Sequence, residues 1–400
     1  MGLTGLVTAC ASGEYSIGSR SFSFPFGEGS PSQPTLAVPP GMTAPQTLAA
    51  QGETFGRGPV RVALLLPLSG DAGLASVGQS MANGARLAMS FIEANPNIAE
   101  NITIVLKDTG TASNGAAQAA SQAAAEGASL ILGPLRADQV TAAGGVARSA
   151  GIPLIGFSNN PNAASPGVFL LSVLPEAEMK RSIAYMQAQG RRGFAGIFSN
   201  TDYGRAQENA FRQMAAQLGI SPVAVFNFSD PSEAQSIIAR AMPLLRTGQI
   251  DALYLPDRSS APSFGALVQQ AGIDRSQLAL VGSADWEGDP LIRQSPGLAG
   301  AYYPAVDEAG LNAIRSEYQA RFGSTPHPLA TIAYTATILA NAGPLSMAQP
   351  KYNSVLLTAA SGFNGRDGVF RFLGNGRSEY ALGMKMLNGG TTKQVDGPKL

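Results

Sequence analysis

Residues 128–161 read ASLILGPLRADQVTAAGGVARSAGIPLIGFSNNP, and this stretch decides the fold. Two short apolar runs, Ser129–Leu132 and Ile152–Gly156, are each too short for a buried helix and each stop abruptly at polar residues, so both read as strands. Between them, Ala137 to Ala150 is rich in Ala with apolar residues at helical spacing. A strand, a helix and a strand in that order form a right-handed crossover between parallel strands. The residues just after the strands, Gly133 to Asp138 and Phe157 to Asn160, then share the carboxyl edge of one sheet, where open α/β sheets hold ligands.

The same alternation continues on both sides. Upstream, Arg61–Pro67 reads as a strand, Leu68–Gly73 as a loop and Val77–Ala94 as a helix with a stripe of Met81, Ala85, Leu87, Ala88, Phe91 and Ile92. Strand Ile102–Leu106 and the Ala-rich helix Ala116–Glu126 lead into the quoted stretch. Downstream come strand Phe169–Val173 and a helix from Pro175 to Gln189. A second series starts at Phe194–Phe198. It runs through helix Gly204–Leu218, strand Val223–Phe226, helix Glu233–Leu245, strand Ala252–Leu255, helix Ser263–Ala271 and strand Leu278–Val281. This series is too long to join the first sheet and predicts a second lobe. Helices Asn312–Arg321 and Leu329–Asn341 follow, and Gly374–Asn375–Gly376 between two strand-like runs marks a terminal hairpin.

With 400 residues the chain is long enough for two sizeable cores. Basic and acidic residues balance at 27 each, so there is no electrostatic footprint for nucleic acid or an anionic membrane surface. One Cys and one His exclude a Cys/His zinc set, and a Ser-His-Asp arrangement would have to run through His327. His327 lies in the proline-bracketed Thr325–Pro328 with no evident nucleophile nearby, which reads as structural or ligand-gating. No Gly-rich phosphate loop follows a strand. The chain therefore predicts no enzyme, no metal and no cofactor, and no apolar run reaches the ~20 residues that a bilayer needs.

Leu6-Val-Thr-Ala-Cys10 looks like a lipobox, the short run before the acylated cysteine of bacterial lipoproteins, although no Lys or Arg precedes Cys10. The alternative is a lone Cys in an apolar start. Residues 11–59 carry much Gly, Pro, Ser and Ala and read as a flexible linker.

The order of parts resembles the type I periplasmic solute-binding proteins, specifically the leucine/isoleucine/valine-binding family of ABC-transporter receptors. Val62–Gly70 with Gly78 and Asn83–Ala88 is similar to that family's opening segment, Thr201-Asp-Tyr-Gly204 to its second-lobe signature, and Phe363–Phe372 with Gly376 to its terminal hairpin. The resemblance implies an α/β fold of two doubly wound parallel-sheet lobes joined by a three-segment hinge, closing on a small solute. Lobe 1 would comprise residues 60–172 plus 303–358 and lobe 2 residues 173–302 plus 359–392, with a signal remnant at 1–10 and a tail at 393–400. The crossings would fall near Leu171–Pro175, Gly300–Pro304 and Ala359–Phe363.

The resemblance also assigns candidate ligand contacts. Ser69, Arg136, Asp138, Ser158 and Asn159 come from the first lobe, and Tyr203, Asp257 and Trp286 from the second. Relatives use Ser or Thr where this chain has Leu135–Asp138, and an aromatic where it has Val77. Arg136 either grips a carboxylate bidentately or pairs with Asp138 at the surface, while Asp138 alternatively caps the helix. Ser158–Asn160 either bonds a solute or forms a turn before Pro161. Tyr203 is a ligand contact or an interlobe packing residue. Asp257 meets an α-amino group or pairs with Arg258. Trp286 stacks on a ligand at the cleft or its rim, or is simply buried.

Two functions follow from the resemblance. One is a lipid-anchored periplasmic receptor that captures a small polar solute, an amino acid or another carboxylate, for an ABC permease. The other comes from Ile131–Leu135, the lipobox and the linker, which also resemble lipoprotein activators of penicillin-binding proteins acting in peptidoglycan synthesis.

Overall fold

The computed structural model describes residues 14–17, 20–23 and 49–400, so Cys10 and most of the predicted linker lie outside the described residues. The chain divides into two compact units, residues 1–156 with 311–371 and residues 157–310 with 372–400, and passes between them three times. These limits fall at other places than the expected 172/173, 302/303 and 358/359.

In the first unit, β1 (Glu14–Ile17) and β2 (Arg20–Ser23) form an antiparallel hairpin. Then follow β3 (Glu53–Phe55), β4 (Val60–Leu66), α1 (Ala72–Ala94), β5 (Ile102–Asp108), α2 (Ser113–Ala125), β6 (Leu130–Leu132), α3 (Ala137–Ser149) and β7 (Leu154–Gly156). Within this unit the sheet order is β3-β5-β4-β6-β7; β4 pairs in parallel with β5 and β6, and β6 with β7, as the crossover predicts. β4, β6 and β7 read as near-continuous apolar runs because helices cover both faces of a parallel sheet.

The second unit begins with β8 (Val168–Leu170), α4 (Pro175–Ala188), β9 (Phe194–Ser199), α5 (Asp202–Gln217), β10 (Ala224–Phe228), α6 (Ala234–Arg246) and β11 (Ala252–Tyr254). It continues through α7 (Ala261–Gln270), β12 (Ala279–Val281), α8 (Pro290–Gln294) and β13 (Tyr302–Ala305). The chain returns to the first unit for α9 (Ala309–Phe322), α10 (Ala330–Asn341), α11 (Gly343–Ser346), α12 (Ser354–Leu357), β14 (Phe363–Gly365) and β15 (Gly368–Phe372). It ends in the second with β16 (Ser378–Tyr380), β17 (Leu382–Asn388) and β18 (Thr391–Lys399). The second sheet runs β10-β9-β11-β12-β13-β17-β18, parallel through β13 and antiparallel beyond it.

Two glycines are dictated by close approach. Gly133 has φ +83°, and a Cβ there would lie 2.1 Å from the Leu65 carbonyl oxygen. A Cβ on Gly84 would lie 2.3 Å from the Ala330 carbonyl oxygen, so the glycine lets α1 and α10 pack backbone to backbone. Helix α1 starts at Ala72, five residues before the predicted Val77, because the Asp71 side chain caps it by accepting from the Leu74 N–H.

Two expectations are corrected at the chain's ends. Residues 49–59 are not linker: β3 pairs antiparallel with β5, Arg86 Nε donates to Glu53 at 2.8 Å, and the Gly58 N–H donates to the Ile102 carbonyl at 3.0 Å. Residues 393–400 are not a tail, since β18 pairs with β17 and Asp396 binds Arg181 at 2.6 Å. Both segments lie in polar-faced edge strands, whose pairing shows in backbone hydrogen bonds and leaves little apolar pattern.

A buried ion pair fastens the first of these segments. Lys107 and Glu126 side chains are each 3% exposed and meet at 2.9 Å, Lys107 Nζ also donates to the Gln51 carbonyl at 2.8 Å, and the Gln51 N–H donates to the same Glu126 oxygen at 3.1 Å. Removing one partner strands a buried charge, whereas replacing both does not. Glu126→Gln is expected to cost about 3–5 kcal/mol in urea unfolding. The double variant Lys107→Met, Glu126→Leu is expected to recover most of it, and equal loss in both would contradict this account.

Candidate functional site

In the first unit, the loops after β4, β5 and β6 converge at the carboxyl edge of the sheet. They border an open groove of about 670 Å³ whose lining includes Gly70, Leu74, Val77, Thr111 and Arg136. The loop after β5 is braced by the fully buried Gln139, whose Nε2 donates to the Gly110 carbonyl at 3.0 Å and to that of Ala112 at 3.3 Å. Burial works against ionisation of Asp108, but hydrogen bonds from the Ser69 side chain and from the Gly110, Leu68 and Ser69 N–H groups outweigh it and hold that carboxyl below the usual range. Ser69 thus shapes the loop through Asp108.

Arg136 is half exposed and its Nε lies 3.1 Å from Asp138, so the surface pair forms at the groove's edge and occupies only one of the guanidinium's nitrogens. Asp138 sits in the first turn of α3, where a carboxylate is favoured by the helix dipole. His327, also in this unit, accepts the Leu329 N–H on Nδ1 at 3.2 Å, and burial lowers its pKa.

The second unit gathers a denser polar cluster from the turns after β9, β11 and β12 and the first turn of α4. The side chain of Thr201 caps α5 by accepting from the Gly204 N–H at 3.0 Å, which sets Tyr203 on the helix's first turn. The Tyr203 hydroxyl accepts from Asn159 Nδ2 at 3.1 Å and donates to the Asp285 carboxylate. Burial first, then the charges of Asp285 and Glu178, raise its pKa well above the usual phenol value. Ser158 is buried, and its Oγ accepts the Asn160 N–H at 3.1 Å, so it forms the local turn.

Glu178 is 2% exposed, and its Oε2 accepts the Ala284 N–H at 3.1 Å. Burial and then the neighbouring Asp285 push its carboxyl well above the ordinary range, against the single backbone hydrogen bond. Asp285 is raised for the same first reason, with Arg258 and the Tyr203 hydrogen bond partly offsetting burial.

Two sequence candidates take other places. Asp257 Oδ1 accepts from the Ser259 and Ser260 N–H groups, both at 2.9 Å, and from both hydroxyls, so it caps the turn before α7. Trp286 is fully buried and packs on Tyr303 with ring centroids 6.2 Å apart, in the core rather than at a rim. An indole five residues after an apolar strand follows that strand's burial.

Sequence reasoning missed Glu178 and Asp285. An acid in a helix's first turn ordinarily reads as a dipole partner in solvent, and Asp285 was overshadowed by Trp286. The available signal was Pro175-Glu-Ala-Glu-Met179, where the second Glu adjoins an inward-facing Met.

A family model described as periplasmic binding protein matches residues 59–362. No match was found among curated proteins. Among solved structures, the chain is similar to a putative branched-chain amino acid ABC transporter from Rhodospirillum rubrum, at 21% identity and TM-score 0.68, covering 84% of this chain and 99% of the other. It is similar to the branched-chain amino acid substrate-binding protein of Streptococcus pneumoniae in complex with isoleucine, at 21% identity and TM-score 0.59, over 84% and 99% of the two chains. A solute-binding protein of Rhodopseudomonas palustris in complex with 3,4-dihydroxybenzoic acid matches at 18% identity and TM-score 0.60, over 85% and 98%. These likenesses show the type I periplasmic-binding fold.

The raised Glu178 carboxyl fixes a pH dependence. Its folded pKa lies above the unfolded value near 4.3, so its contribution to stability is complete below that value and is lost as pH rises through the folded pKa. Glu178→Gln keeps an acceptor for the Ala284 N–H without the charge. Its melting temperature should exceed the wild type's increasingly as pH rises and converge with it in acid; an offset independent of pH would contradict the assignment.

Proposed function

Because the chain belongs to the periplasmic binding protein family, whose model spans residues 59–362, we propose that it is the solute-binding receptor of an ABC-type transport system and that its solute carries a cationic nitrogen. The carrying observation is the cluster in the second unit, where Glu178 and Asp285 lie beside Tyr203 and Asn159. Two enclosed carboxyls and a hydroxyl that accepts and donates present acceptors to an N–H-rich cation, and a cation relieves their mutual repulsion. The groove of the first unit, considered alone, offers Arg136 and the hydroxyl-bearing Thr111 beside the apolar Leu74 and Val77, which suits a carboxylate with an apolar body. An ammonium and a carboxylate are the two charges of an amino acid.

The relatives named above are described as transport receptors, which favours this reading over an activator of penicillin-binding proteins. We take the protein to bind without chemistry, to hand its solute to a permease and to work in the periplasm, held to a membrane by a lipid on Cys10.

The full chain should be stabilised by an amino acid and not by its uncharged analogues. A solute at 100 times its dissociation constant adds about 2.7 kcal/mol, which melting curves resolve. Asp285→Asn should weaken that shift for amines, and Arg136→Ala should weaken it for carboxylates. A chain that no amine or carboxylate stabilises would overturn the reading. Separately, Cys10→Ser should move the protein from the membrane to the soluble periplasmic fraction; unchanged membrane association would remove the lipid anchor.

A further inference from the structure

We infer that Glu178 holds a proton in the free protein and gives it up when the solute's cationic nitrogen arrives, so that capture exchanges one cation for another. The inference rests on the receptor reading above and adds to it a linkage between solute and proton.

Glu178 is 2% exposed and has few partners for an anion. Among the described residues its one hydrogen bond is the Ala284 N–H on Oε2, and Oε1 has none. An ionised carboxylate offers about four acceptor sites, and burying it without a counter-charge is costly.

The groups that face it make matters worse. On its own helix stands Glu176, already bound to Arg377 at 2.6 Å. Asp285 follows β12, next to the very residue whose N–H Glu178 accepts. Tyr203 on α5 and Tyr254 on β11 are phenols, neither of them a cation. After β11 come Asp257 and Arg258, and the Arg258 charge acts on Asp285. Glu178 therefore sees carboxyls and hydroxyls, while Arg377 is bound by Glu176 and the Arg258 charge is felt by Asp285. Burial and the Asp285 charge hold its carboxyl well above the ordinary range, in agreement with this arrangement.

An ammonium supplies both missing things, a positive charge and N–H donors for the unused oxygen. The exchange balances: the carboxylic acid and the ammonium become a carboxylate–ammonium pair, and the proton passes to solvent. Binding should then release about one proton per solute. Affinity should rise about tenfold per pH unit in the range where Glu178 is protonated in the free protein, and level off above it.

The test uses the full chain, infrared spectroscopy in heavy water near neutral pH, and calorimetry in buffers of different ionisation enthalpy. The probes are the standard amino acids, short aliphatic diamines, and 4-methylpentanoate, which is leucine without its ammonium. A protonated-carboxyl band should be present in the free protein, absent in Glu178→Gln, and lost when an amine binds with proton release; 4-methylpentanoate should leave it in place. Should Glu178→Gln not fold, Asp285→Asn serves instead, and the pH at which the band disappears should fall. The inference is overturned if the free protein lacks the band, if the band survives amine binding, or if Asp285→Asn leaves its midpoint unmoved. If no amine binds, the receptor reading falls and the exchange with it, whereas amine binding without proton release overturns the exchange alone.

Discussion

A strand that pairs in parallel with its predecessor obliges the chain to travel back across the sheet before it can pair again, and this obligation puts every strand-to-helix turn at one edge. In the first unit it collects the turns after Leu66, Asp108 and Leu132; in the second, those after Ser199, Tyr254 and Val281. Residues far apart in sequence therefore meet without any long-range signal of their own. Leu68 and Asp108, 40 positions apart, share a hydrogen bond for this reason.

The two edges differ in how tightly they are built. Around Arg136 the side chains are half exposed and the groove is open, so charges there are screened and a salt bridge such as Arg136–Asp138 contributes little. Around Glu178 the protein withdraws water, and the electrostatic terms grow accordingly. Selectivity is expected to reside where desolvation is greatest, since an enclosed acceptor left without its partner costs more than an exposed one.

Most of the framework was legible. Apolar runs such as Leu130–Leu132 and Leu154–Gly156 are readable because a parallel sheet is covered on both faces, and helices declare themselves through period and caps. The edges were not. Glu53–Phe55 and Thr391–Lys399 are held by backbone ladders and a few ion pairs, which hydropathy does not record. Of the candidate site, Tyr203 is marked by the resemblance, which places a ligand-contacting tyrosine at its position, and Asn159 by its place after a strand. Glu178 and Asp285 were not, because an acid beside an inward-facing residue such as Met179 reads the same in sequence as an acid in water unless its burial is known. Trp286 shows the converse: its rarity drew attention that its burial does not reward.

The strap at Gln51 has a mechanical meaning. The segment Gln51–Phe55 is tied to the first unit twice, since the Gln51 carbonyl and N–H are gripped by Lys107 and Glu126 and β3 lies along β5. A pull on Gln51 along the axis of β3 loads the ladder bonds and the ion pair together in shear instead of opening them one after another like a zipper. A load applied there is passed into the central sheet through β5, and the body it restrains can be towed without being unravelled.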